Sequence, residues 1–166
     1  MSQLSFNPVV QSAGVPELDL SRDELAAREA RRAKLQRQAQ DIVAIATLQS
    51  HSALNCLHKI NVAGGTTEKA YRAVNQRIID DQDAHGAYHA IAMAQTTPDL
   101  PFDVPVLLDI VVAHGDGDLQ LRTLKLFDSQ PVNAAPITRI EQAILAAGDK
   151  PTIDALQAHL AGRSAV

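Results

Sequence analysis

The sequence predicts a mainly α-helical fold, and three observations carry that expectation. A Ser-x-x-Glu capping box at Ser21–Glu24 opens a stretch that runs to Ile60 without Pro or Gly. Further helical patterns stop and restart at Gly64-Gly65 and at Gly148-Asp149. Only five aromatic residues occur, two Tyr and three Phe, with no Trp, so Ala, Leu, Ile and Val must supply the buried area. Small side chains bury little each, which calls for close helix packing or a partner surface.

Residues 1–20 carry Pro8, Gly14 and Pro16 among scattered apolar residues without helical period. They read as an extended or disordered leader ahead of a single helix-rich domain over 21–166. At Ser21 the pattern changes. Its hydroxyl can accept from the amide of Glu24 while Glu24 reaches back to the amide of Ser21, and the acids of the first turn complement the helix dipole. The helix that follows has two unlike halves. Residues 26–41 are chiefly Ala, Arg and Gln, whereas the stretch from Ile42 to Ile60 carries Val43, Ile45, Leu48, Leu54 and Leu57. Residues 21–41 are therefore expected to project as a basic arm and the later part to enter the core, with a break allowed near Ser50–Ser52.

The Gly64-Gly65 pair ends that element, and Thr66 or Thr67 starts a second helix to about Gln95, packed antiparallel on the first. Its apolar line is Tyr71, Val74, Ile78, Tyr88 and Ala92, which holds helical spacing if Asp81 and His85 are admitted to the stripe. Pro98, Pro101 and Pro105 then mark a connector with Phe102 as its packing anchor. Two β-prone runs, Val106–Ala113 and Leu119–Phe127, flank the Asp-Gly of His114-Gly115-Asp116-Gly117-Asp118, so a small β-hairpin is expected over 106–127. A C-terminal helical pair, 136–147 and 150–160, closes the chain. With its Gly148-Asp149 link this pair resembles the first two helices of a winged-helix unit. The recognition helix and wing of that unit are not legible after it, so the expected use of the pair is packing.

The formal net charge is −4, against the basic balance of a dedicated nucleic-acid binder. The single cysteine, Cys56, leaves no intramolecular disulfide and suits a reducing compartment. No classical secretory signal and no apolar run of bilayer length are legible, so the expected location is cytoplasmic, without a membrane partner.

Asp81, His85 and His89 recur at four-residue steps, and on one helix they would share a face. That is the weak candidate for a metal-binding domain or a metal-dependent hydrolase, although the His-Glu-x-x-His order is absent. The loop His114, Asp116 and Asp118 is too short for a calcium site. No Gly-x-Ser-x-Gly elbow and no P-loop occur, so no catalytic residue and no cofactor are expected. The strongest polar feature is Arg28, Arg31, Arg32, Lys34 and Arg37, with Glu29 the one acid among them. The expectation is a non-enzymatic interaction or assembly protein, homo-oligomeric, whose partner-binding residues are Leu25, Arg28, Arg31, Arg32, Leu35 and Arg37. A nucleic-acid-associated regulator using arm residues 28–37 is the alternative reading, without the interleaved aromatics of single-strand binders.

Overall fold

In the computed structural model, which describes residues 21–44, 49–128 and 134–164, the capping box closes reciprocally. The Ser21 amide donates to Glu24 Oε2 at 2.8 Å and the Glu24 amide to Ser21 Oγ at 3.3 Å. Helix α1 (Arg22–Ala44) follows, then α2 (Ser50–Val62), α3 (Glu68–Asp80), α4 (Ala84–Thr96), α5 (Val104–His114), α6 (Gly117–Phe127), α7 (Ala134–Ala147) and α8 (Lys150–Ser164). No strand occurs among the described residues. The expected leader, residues 1–20, lies outside them.

Two helix ends share one geometry and differ in sequence. At the end of α2, Gly64 adopts φ +85°; its amide donates to Asn61 O and the Gly65 amide to Ile60 O. These are the paired bonds of a Schellman stop, with glycine in the left-handed position. At the end of α3 the same bonds form from Gln82 to Ile79 O and from Asp83 to Ile78 O, but the left-handed residue is Gln82, at φ +51°. The Asp83 carboxylate then accepts from the Gly86 amide at 2.9 Å and starts α4. The single helix expected from 66 to 95 is thus two, and Asp81 ends one of them while His85 and His89 ride on the other.

The hairpin expected over 106–127 is also corrected. Its two runs are α5 and α6. Leu107, Leu108, Ile110 and Val111 are buried at helical spacing, as are Leu119, Leu121, Leu124 and Phe127. Asp116, expected in a β-turn, caps α6 by accepting from the Leu119 amide at 2.8 Å. The Gln120 side-chain amide donates to Val112 O and Gly115 O at 3.1 and 3.2 Å, which fixes the end of α5 to the start of α6. Asp103 opens α5 in the same way, accepting from the Val106 amide, with Pro105 in the first turn. The C-terminal pair forms on either side of Gly148, at φ +72°, as expected, but α8 continues beyond its expected end at 160, through Gly162 to Ser164.

The core is aliphatic: Leu54, Leu57, Val74, Ile78, Ile91, Leu107, Val111, Leu124, Ile140, Ile144 and Leu156 are almost wholly buried. Each large side chain of this kind contributes about 1.5–3 kcal/mol on burial. Tyr71 is the largest fully buried residue; Phe102 meets its ring edge-on at 5.7 Å, and burial pushes the phenol up to about 12.

These contacts define two ends of the bundle. Tyr71, early in α3, touches Phe102 in the α4–α5 connector, so the connector and the α2–α3 turn lie together. A Cβ built on Gly86 would approach Ile78 near the end of α3 and Ser50 at the start of α2. The α3–α4 turn and the start of α2 therefore form the other end, about 20 Å away along a 13-residue helix. Helix α5 packs closely along α4 after a short connector and returns the α5–α6 turn to this second end.

Candidate functional site

The arm is built by what α1 fails to bury. Residues 22–32 are all exposed, Leu25 at 46 %, whereas Leu35 is half-buried and Ala39 is buried at 1 %. The helix enters the core at Leu35, whose Cβ lies 3.1 Å from where a Cβ on Gly65 would stand. A Cβ at 65 would also meet Ile60 Cγ2 at 2.6 Å and Ile60 O at 3.1 Å, so the α2–α3 turn needs a glycine at 65 as well as at 64. Because α2 starts at one end of the bundle and finishes at this turn, α1 runs antiparallel to it, and the N-terminal end of α1 points away from the α3–α4 turn.

Arg28, Arg31, Arg32 and Leu35 form one wall of a groove of about 180 Å³, and Ala63 and Gly64 form the other. Val62, 74 % exposed, adjoins it. Lys34 and Arg37 are exposed farther along α1. None of the five basic side chains has a carboxylate within ion-pair distance among the described residues. The Glu24 carboxylate, one turn before Arg28, accepts from the Ser21 amide, and that bond, with a smaller contribution from the Ser21 side chain, holds its carboxyl below the usual range. The result is a row of planar, permanently charged donors beside a small apolar strip. Such donors suit carboxylate or phosphate oxygens, and the strip adds contact area.

The weak metal candidate does not assemble. Asp81 is exposed at the end of α3, and no group of three or more His, Cys, Asp or Glu among the described residues is placed to hold a metal ion. His89 instead stacks on His51 of α2, with ring centroids 5.3 Å apart, and meets Tyr88 edge-on. Burial is the main cause that lowers the His89 pKa from its ordinary value; His51 and His85 lower it further and Asp83 opposes them. Asp116 and Asp118 of the short loop are committed as well, one to the α6 cap and the other to an ion pair with Arg122 at 2.7 Å.

Sequence reasoning missed two contacts and one wall of the groove. His51 had no partner nearby in sequence, and neither had His159, which pairs with Asp128 just beyond α6. Arg163 joins the same carboxylate at 3.0 Å, so α8 is tied to α6 through Asp128. Val62 and Ala63 read only as the end of a helix. No local signal could have found these, because each depends on an element distant in the chain. No helix among the described residues is long and apolar enough to cross a membrane. Comparison with protein-family models, curated proteins and solved structures gives no match.

Proposed function

We propose that the chain is a non-enzymatic assembly protein whose α1 arm is its partner-binding element. The observation that carries this reading is the combination of charge and exposure on α1. Residues 22–32 are all exposed, yet the arm presents Leu25 and a row of basic side chains without ion-pair partners among the described residues. A helical stretch that neither packs in the core nor pairs among the described residues gains stability from what it meets outside. Leu25, Arg28, Arg31, Arg32, Leu35 and Arg37 are the contact residues on this reading.

The test is light scattering of the full chain at low salt beside the variant Arg28→Glu, Arg31→Glu and Arg32→Glu, with absorbance read at 260 and 280 nm. Wild type is expected to run above the 17.8 kDa of one chain, and the variant to run as a monomer with unchanged helical circular dichroism. A variant that keeps the wild-type mass sinks the reading. With no Trp and two Tyr the protein absorbs little, so a raised 260 nm signal lost in the variant would point to nucleic acid on the arm instead.

A further inference from the structure

We infer that the arm docks on a second copy of this chain, head to tail, at the end of the bundle formed by the α3–α4 and α5–α6 turns. The inference rests on the assembly reading and adds the identity of the partner. Its basis is a charge asymmetry that the net value conceals. Residues 28–37 hold five basic residues against one acid, and no Lys or Arg occurs between Arg77 and Arg122. Within that span Asp80, Asp81 and Asp83 sit at the α3–α4 turn, and Asp116 and Asp118 at the α5–α6 turn. Arg77 and Arg122 border this end and offset two of the five charges; the start of α8 also reaches it, because Thr152 lies against Gly117, but it brings Asp149 with Lys150, so an acidic excess remains. Asp80 and Asp81 are exposed, Asp118 is exposed in its ion pair with Arg122, and Asp83 and Asp116 serve as helix caps.

The geometry keeps the two poles of one molecule apart. Leu35 and Ala39 pin α1 at the opposite end of the bundle, about 20 Å from the acidic turns along α3. The arm points away from its own acidic end and meets that of a neighbour. Two different patches of the same chain then face each other, a heterologous contact that repeats from copy to copy until it closes a ring or extends a filament. Complementary poles also steer encounter and fix the register, and added salt screens them.

A charge swap tests this on the full chain. One variant reverses the arm, with Arg28→Glu, Arg31→Glu and Arg32→Glu. The other reverses the exposed acids, with Asp80→Lys, Asp81→Lys and Asp118→Lys, and leaves both caps intact. At low salt wild type is expected to show at least about twice the monomer mass and to fall to monomer near 0.5 M salt, where the Debye length is only about 4 Å. Each variant alone is expected to be monomeric. Mixed in equal amounts they should regain the wild-type mass, because each then offers the pole that the other lacks, and only folded chains could restore it. Loss of assembly in the arm variant alone, with the acid variant unchanged, overturns this docking and leaves the arm reading standing. Wild-type mass in the arm variant removes both. A wild type that is monomeric at low salt, or a mixture that fails to recover, also overturns the inference.

Discussion

His51 and His89 show how much of this chain's chemistry depends on side chains meeting across elements. His51 belongs to no motif and His89 only to the metal candidate that does not assemble, and their stacking between α2 and α4 goes with the close approach of Gly86 to Ser50. The consequence is measurable as a pH dependence. His89 binds its proton less readily in the folded chain than the ordinary value of 6.5 would give, chiefly because of burial. The unfolded chain therefore takes up that proton first. The resulting stability is fully present above about pH 6.5 and declines as the pH falls through it, levelling off once the folded site protonates too. The urea midpoint is expected to drop between about pH 7.5 and pH 5.5, and His89→Gln to flatten that slope. Glu24 titrates on the other side of this window: its lowered pKa means that its contribution disappears only below the ordinary carboxylate value of 4.5. A slope unchanged in His89→Gln would place the acid sensitivity elsewhere. The metal reading failed at this same scale, since Asp81, His85 and His89 keep four-residue steps along the chain but not along one helix.

At the scale of the element, what the sequence revealed was its punctuation. The capping box, Gly64-Gly65 and Gly148 ahead of α8 all stand where local chemistry puts them, and each marks a helix boundary in the fold. The α3–α4 boundary was hidden because Gln82 occupies the left-handed position that glycine takes at the end of α2. A side chain there costs about 1 kcal/mol relative to glycine. Gln82 is exposed, although its side-chain amide also donates to Ile79 O. Gln82→Gly is thus expected to stabilise the chain by somewhat less than about 1 kcal/mol, read as a higher urea midpoint at constant m. A lower midpoint would mean that the Gln82–Ile79 bond outweighs the backbone cost. The hairpin error has a different origin. Short apolar runs such as Val106–Ala113 satisfy a strand period and a helix period alike, and Asp-Gly serves a β-turn as readily as a helix cap. What decides is tertiary: as helices, α5 and α6 bury Leu107, Val111 and Leu124 in a core that α4 and α7 already surround.

For the whole molecule, α1 divides into a stretch exposed among the described residues and a stretch packed against the core. The composition of residues 26–41 announced a projecting arm, but the residue at which projection ends depends on what α2 and α3 offer. The structure puts it near Ala33: every position from 22 to 32 is exposed, Leu35 is half-buried against the α2–α3 turn, and Ala39 is 1 % exposed in the core. Substitutions on the two sides should then separate stability from association. Reversing Arg28, Arg31 and Arg32 removes no buried contact and no ion pair among the described residues, so the unfolding free energy should stay within about 0.5 kcal/mol of wild type while association is lost. Ala39→Leu forces three heavy atoms into a filled site and should cost about 1–3 kcal/mol. Because it leaves the arm's charges in place, association should persist wherever the variant remains folded. Equilibrium unfolding and light scattering on the two variants decide the matter together. A large loss of stability from the arm reversal, or an Ala39→Leu protein that unfolds like wild type, would move the boundary and with it the division between core and arm.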